Sequence, residues 1–314
     1  MNDELIETSL VQESTKHCGF VAIVGRPNVG KSTLMNHLIG QKISITSRKA
    51  QTTRHRILGI LTEPHLNTQF VFVDTPGFQK QYLNELNRMM NRTVTQTLSD
   101  VNAILFVIEA THFDRRDAIV LSLLPKDIPV VLVLNKVDKI KDKAELLSFI
   151  DSLGEKTDHF PFHSIVPVSA KNGNLERLQP LLKAIRNLLP ESETYYYNED
   201  DITDRSEKFI ASELIREKLF RLLGDEIPYS TSVVIDHFET TRGLKRIFAS
   251  ILVDKDNQKA ILLGKKGEKM KLIATQSRLD MENVFQSKVY LEVFVKVRSG
   301  WADDSQMLKQ LGYE

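Results

Sequence analysis

The stretch Gly25-Arg26-Pro27-Asn28-Val29-Gly30-Lys31-Ser32-Thr33 decides the fold. It fits the P-loop pattern G-x-x-x-x-G-K-[ST], and its surroundings fit too. Phe20-Val21-Ala22-Ile23-Val24 before it is an apolar run that reads as a buried strand. Leu34, Met35, Leu38 and Ile39 after it have helical spacing. A phosphate cradle needs this order of strand, loop and helix. Gly25 and Gly30 let the backbone curl so that N–H groups converge on phosphate oxygens. The following helix adds the positive end of its dipole. Lys31 is placed to reach the β- and γ-phosphates, and Ser32 to ligate Mg²⁺. The plain alternative is a glycine turn beside a surface lysine, and the full pattern in this context argues against it.

Working outward, Ile43-Ser44-Ile45-Thr46 is a short strand-like alternation. Ser47 to Arg54 is polar and without periodicity. A loop one helix after the phosphate cradle can cover a nucleotide, and a threonine in it could offer its hydroxyl to Mg²⁺ and its N–H to the γ-phosphate. On composition alone it could equally be a solvated basic loop. Gln69–Val73 is the next apolar strand, and it runs into Asp74-Thr75-Pro76-Gly77. An acid at the C-terminal end of such a strand can hold Mg²⁺, directly or through water. Gly77 leaves room for its N–H to meet the γ-phosphate.

Ala103–Ile108 and Pro129–Leu134 are two more buried runs. Continuous apolar strands alternating with helices predict an α/β fold, a doubly wound parallel sheet covered on both faces. The second run ends in Asn135-Lys136-Val137-Asp138. Asp138 can accept two hydrogen bonds from guanine N1–H and N2–H₂, which adenine lacks. A site built on such bonds rejects the wrong base strongly. Asn135 is placed to tie loops together, and the Lys136 stem to cover the flat face of the base. Ser164–Val168 leads into Ser169-Ala170-Lys171, whose N–H groups can meet guanine O6.

The chain has 314 residues, enough for about two domains. Hydrophobic residues are 41% and charged residues 26%, the composition of a soluble globular protein. The single cysteine, Cys18, excludes an internal disulfide, fits a reducing cytoplasm, and is expected to pack at the start of the first strand. No apolar run approaches the ~18 residues of a membrane span, and residues 1–16 read as a loose tail without a signal-peptide core.

The net charge of +1 hides a dipolar second half. Acidic side chains exceed basic ones by 8 over residues 191–240, and basic exceed acidic by 7 over 241–300. A basic half suits a polyanion, although charge runs are usually solvated faces. The polar, acidic run from Pro190 to Asp204 reads as a linker. Ser206–Leu223 has helical spacing, and Ser232–Phe238 and Arg246–Val253 look like strands. Ala260–Leu263 is an apolar turn before Gly264-Lys265-Lys266-Gly267. An amphipathic helix follows, with Met270, Ile273, Leu279, Met281 and Val284 on its apolar face, and Lys288–Val297 is a last strand.

Four signals stand in one order: Gly25–Thr33, Asp74–Gly77, Asn135–Asp138 and Ser169–Lys171. Together they resemble the translation-factor-related GTPases. With Gln51-Thr52-Thr53-Arg54, the first is similar to that of the Era subgroup. By that resemblance Thr53 is the threonine of the first switch and, with Ser32 and Asp74, a Mg²⁺ ligand. Lys31, Thr53, Gly77 and Asn28 are then the candidates for catalysis, with GTP/GDP and Mg²⁺ as cofactors. Phe78 stands where many such proteins carry a water-orienting glutamine. Asn28 in related proteins helps hold a K⁺ ion near the phosphates, and a loop-stabilising hydrogen bond is its other reading. Gln79 to Tyr82 lacks the His and Pro that often follow, which leaves the course of the second switch open.

The order helix–strand–strand–helix–Gly-x-x-Gly–helix–strand resembles a KH domain of the bacterial type (type II), and Ser299–Asp304 is similar to the Era C-terminus. In that module Gly264 and Gly267 would let RNA phosphates approach, with charge from Lys265, Lys266, Lys269 and Lys271. Trp301 could stack a base, with packing the expected role. The resemblance implies a tail over 1–16, a GTPase domain over 17–190, a linker over 191–204 and a smaller α/β KH domain over 205–314. It implies a monomer that binds small-subunit ribosomal RNA near its 3′ end in 30S assembly, in the cytoplasm or peripherally on the inner face of the membrane. A rival reading makes the basic half a docking module for a protein or membrane. A second rival is a P-loop ATPase or kinase, and Asn135–Asp138 argues against it.

Overall fold

The computed structural model describes residues 15–47, 49, 51–77, 85–224 and 227–313. The first part runs β1 (Lys16–Val24), α1 (Lys31–Ile39), β2 (Ile57–Glu63), β3 (Thr68–Asp74), α2 (Glu85–Ser99), β4 (Ala103–Glu109), α3 (Arg115–Leu121), β5 (Val130–Asn135), α4 (Lys143–Asp151), α5 (Leu153–Lys156), β6 (Ser164–Pro167), α6 (Leu175–Arg186) and β7 (Glu191–Ser192). The strand order is β2-β3-β1-β4-β5-β6, with β7 beside the start of β1. Strands β3, β1, β4, β5 and β6 are parallel. Both faces of this sheet are covered by apolar clusters, which is why its central strands read as unbroken apolar runs.

Two expectations are corrected here. The sheet is mixed, because β2, which its periodicity does not single out, pairs antiparallel with β3, and β7 pairs antiparallel with β1. Ile43–Thr46 is not a strand. Asn36 Oδ1 accepts the N–H groups of Ile43 and Ser44 at 3.0 and 2.9 Å, so a side chain takes the place of a neighbouring strand. The acidic stretch after β7 lies along the first sheet. The N–H groups of Tyr196 and Tyr197 donate to Gln69 Oε1, Ile60 N–H to Ile202 O, and Thr203 Oγ1 to Leu58 O. Cys18 is fully buried in β1.

The second part runs α7 (Glu207–Leu222), β8 (Thr231–Thr241), β9 (Leu244–Val253), α8 (Asp256–Leu263), α9 (Glu268–Phe285), β10 (Lys288–Val297) and α10 (Ser305–Gln310). Its sheet is ordered β10-β9-β8, with β10 parallel and β8 antiparallel to β9. The expected apolar turn at Ala260–Leu263 is the end of α8. Helix α9 buries Ile273, Ser277 and Met281, while Leu279, assigned above to the apolar face, is 47% exposed. The acidic excess before residue 240 is partly internal: Glu213 and Glu217 are buried in α7 and paired with Arg216, Lys42 and Arg221.

The two parts share an apolar cluster in which Leu86 and Met90 of α2 meet Leu252, Trp301, Met307, Leu308 and Tyr313. Trp301 is 1% exposed, and its Nε1 donates to Ser230 O, so it packs rather than presenting a stacking face. Among the described residues no helix is long and apolar enough to cross a membrane.

Candidate functional site

Strand β1 ends at Val24, and the chain turns through Gly25 to Gly30 into α1. Gly25 has φ of 155°, and a Cβ there would lie 2.3 Å from the Val107 carbonyl. Gly30 has φ of 104°, and a Cβ there would lie 2.3 Å from Asn135 Nδ2. Both glycines are therefore required by the packing of this loop. The loop opens onto a cavity of about 550 Å³ lined by Pro27, Asn28, Gly30, Lys31, Ser32, Thr33, Thr53, Gly77, Asn135, Lys136, Asp138, Ala170 and Lys171, among others. That is the size of a small-molecule site.

Lys31 Nζ donates to the carbonyls of Gly25 and Arg26 at 3.0 and 3.2 Å. Burial pushes its pKa down to about 8, against the opposing pull of Asp74. Burial likewise raises the Asp74 carboxyl, while Lys31 and three hydroxyls act to lower it. Ser32 Oγ and Ser44 Oγ donate to Asp74 Oδ2 at 2.7 and 2.8 Å, and Thr53 Oγ1 lies 3.3 Å from the same oxygen. Ser32 Oγ and Thr53 Oγ1 are 2.9 Å apart. An octahedral Mg²⁺ with bonds of about 2.1 Å spaces adjacent ligand oxygens by about 3.0 Å. The buried Asp74 Oδ1 has no hydrogen-bond partner. The oxygen donor set and this orphaned atom fit Mg²⁺.

Other predicted residues act differently. Arg26 turns away, with its guanidinium 3.1 Å from Asp117 and 3.6 Å from Glu109, so only its backbone faces the loop. Val29 is a core residue whose carbonyl accepts from Asn135 Nδ2. Thr75 Oγ1 donates to Ile23 O, and neither Thr75 nor Pro76 lines the cavity. Gly77 passes close to Pro27: a Cβ on it would be 3.0 Å from Pro27 Cγ. Asn28 is exposed, has φ of 68°, and makes no side-chain hydrogen bond to a described residue. Phe78 and Gln79–Tyr82 lie outside the described residues.

At the other end of the cavity, Asn135 does tie the loops. Its Nδ2 donates to Val29 O at 2.7 Å, and its Oδ1 accepts from Lys136 N and Ala170 N at 2.7 and 2.9 Å. The Ala170 N–H, expected to be free for guanine O6, is thus engaged. Asp138 is exposed and accepts from Ser169 Oγ at 2.5 Å. Lys136 Nζ pairs with Glu109 at 2.9 Å, which stretches its stem along the cavity. Burial works to raise the Glu109 carboxyl, but Lys136 and Lys139 hold it well below the usual range.

In the second part, Gly264 (φ 70°) and Gly267 (φ 79°) bracket exposed Lys265 and Lys266 between α8 and α9. Lys269 packs under Gly264, where a Cβ would lie 2.8 Å from its own Cβ. Lys271, two residues on, points about 200° around α9 from Lys269. The structure gathers Lys265, Lys266 and Lys269 at one end of α9, and Lys271 faces elsewhere.

Residues 20–136 match the family model described as a 50S ribosome-binding GTPase, and residues 226–302 match that of the KH domain. The chain is 57% identical to the GTPase Era of Nitrosomonas eutropha over 94% of this chain and 97% of that one. It is 54% identical to the GTPase Era of Neisseria meningitidis serogroup A over 98% and 99%. The chain belongs to the Era family of GTPases. Two solved Era structures each superpose with a TM-score of 0.88 at 38% identity, covering 95% of this chain and 99% of theirs. One is a single-residue variant of Aquifex aeolicus Era bound to GDP·AlF4⁻. The other is Era with MgGDPNP and nucleotides 1506–1542 of 16S ribosomal RNA. The architecture of this Era-family chain is accordingly a P-loop GTPase domain followed by a smaller KH domain, and its cofactors are guanine nucleotide and Mg²⁺.

Contacts that the motifs do not announce surround this site in the Era-family chain. Gln51 to Arg54 are buried, which corrects the solvated-loop reading. Arg54 donates to three carbonyls of the second part, and Arg216 of α7 donates to the Thr52 carbonyl. Ser44 completes the donors around Asp74. Arg54 closes the Gln51–Arg54 motif, though nothing in the motif shows that its side chain is interior, and Arg216 has no sequence signal at all.

Proposed function

We propose that this chain binds GTP with Mg²⁺ in the first cavity, hydrolyses it to GDP and phosphate, and carries small-subunit ribosomal RNA on the second part. The observation that carries the proposal is the convergence of Ser32, Thr53 and Asp74 oxygens beside buried Lys31. Those three would hold Mg²⁺, which when bound neutralises charge that develops on the phosphate oxygens. Lys31 is positioned to do the same for the β- and γ-phosphates. The turn from Gly25 to Thr33 and the Gly77 N–H cradle and orient the triphosphate for in-line attack by water. Asn28, exposed on the cavity rim, is the residue that would hold K⁺ there. Asp138 reads the guanine N–H groups, with Lys136 over the base and Ser169, Ala170 and Lys171 forming its far wall.

The RNA reading is supported by the open glycine-bracketed lysines and by the Era–16S RNA neighbour. On it, the chain acts in 30S assembly near the 3′ end of that RNA. It works as a cytoplasmic monomer that touches the inner face of the membrane only peripherally, through its basic half. The division into 17–190, 191–204 and 205–314 is part of the same proposal.

Asp138→Asn tests the nucleotide half. The new amide presents a donor to guanine N–H but can donate to the C2 oxygen of xanthine. GTP affinity should fall by on the order of 10²–10⁴, and xanthosine triphosphate should bind better than GTP. A variant that still prefers GTP would refute base reading by Asp138.

A further inference from the structure

Thr53 is held on both sides by the second part of the chain. On one side the Thr52 carbonyl accepts from Arg216 Nη2. On the other, the Arg54 guanidinium donates to Thr231 O at 2.8 Å and to Pro228 O and Tyr229 O at 3.0 Å. Both arginines are 2% exposed and face the ring of Phe220, with centroid distances of 5.7 and 5.3 Å. Among the described residues Thr52 Oγ1 bonds inside its own loop, to Lys49 O and Ser47 Oγ at 2.7 Å, which does not fix that loop against α1. Arg216 also donates through Nε and Nη2 to the two carboxylate oxygens of Glu213, at 2.7 and 2.6 Å. Glu213 therefore orients a planar fork whose remaining reach crosses between the two parts.

We propose that Arg216 is a positioning residue for GTP hydrolysis: from α7 of the second part it fixes the Thr52–Thr53 peptide and so sets the Thr53 hydroxyl beside Ser32 and Asp74. The inference deepens the GTPase reading above and rests on it. The nucleotide site is complete only when the second part is docked. A lysine at 216 keeps the charge, but its compact ammonium cannot serve both Glu213 oxygens and the Thr52 carbonyl in one plane.

The test uses the full chain and the double variant Glu213→Leu/Arg216→Met, because replacing a buried ion pair by apolar side chains of similar volume is often neutral for stability. Steady-state hydrolysis is followed against Mg²⁺ concentration, with GDP affinity measured beside it. Losing a partner that orients a metal ligand typically costs 10–100-fold in metal affinity or activity. The Mg²⁺ needed for half-maximal rate should rise, or kcat fall, by roughly that factor. GDP affinity should hold, because Lys31, Asn135 and Asp138 keep their places. Arg216→Lys should show the same defect. Normal Mg²⁺ dependence and kcat in the double variant would overturn the inference, and so would full activity in Arg216→Lys. Parallel loss of GDP affinity and hydrolysis would also overturn it, since that marks a general effect on the fold. Absence of hydrolysis by the unmodified chain would overturn the GTPase reading and this inference with it.

Discussion

Lys31 and Asp74 share one buried wall, and burial opposes the charge of each. The consequence for Lys31 can be read in solution. Without nucleotide its pKa is about 8, and bound phosphates favour the protonated form. Below that pH the ammonium is already present, so affinity should be level. Above it, binding must take up a proton, and affinity should fall by at most about tenfold per pH unit. A titration of GDP affinity between pH 7 and pH 9 checks this. Lys31→Arg, which keeps its proton throughout, should bind more weakly but without the break. A level profile in the unmodified chain would take Lys31 off the phosphates.

At the scale of elements, the turn between α8 and α9 combines two glycines of different kinds. Gly264 has a left-handed φ and no room for a Cβ, whereas the Gly267 site is open. Gly264→Ala should cost on the order of 1–3 kcal/mol and shift the turn against Lys269. Thermal unfolding should show it as a lowered Tm, with a smaller drop for Gly267→Ala. Lys265 and Lys266 are exposed, so changing both to Asp should leave Tm almost unmoved. Single-stranded RNA affinity should nevertheless fall steeply, and its salt slope become shallower, because phosphate contacts supply that term. GTP affinity should stay level. Unchanged RNA affinity across a salt series would remove the clamp from Gly264–Gly267.

For the whole molecule, the joint between the parts is built from one apolar cluster and a set of cations. Lys42 reaches Glu217 and Asp280 at 2.6 and 2.8 Å, and Lys49 Nζ reaches Leu223 O and Gly224 O at 2.6 and 2.9 Å. His55 stacks on Tyr313 with centroids 4.3 Å apart. Arg54 has the most to lose. Arg54→Ala would remove one charged donor from each of three carbonyls, of which Pro228 O keeps Thr231 Oγ1, at a cost on the order of 1–3 kcal/mol. Calorimetry should show a lower Tm, and X-ray scattering a larger radius of gyration, with GDP affinity kept. Unchanged scattering and Tm would mean that the apolar cluster alone holds the joint.

Local physics makes much of this legible in the chain itself. A strand covered on both faces must be apolar throughout, so β3, β4 and β5 can be read directly. A loop that turns back on Val107 and Asn135 must carry Gly25 and Gly30, and Asn135 is legible because it ends a core strand, with Asp138 three residues beyond. Strand β2 is hidden because Gly59 and the polar ends of Arg56–Glu63 weaken its pattern, and the alternation at Ile43–Thr46 misleads because Asn36 satisfies that backbone. Only the tertiary structure decided that Arg54 and Arg216 are interior residues. Arg216 and the Thr52 carbonyl it meets are 164 positions apart. A buried guanidinium has the same side chain as a solvated one, and its burial follows from docking two separate cores that no local period records.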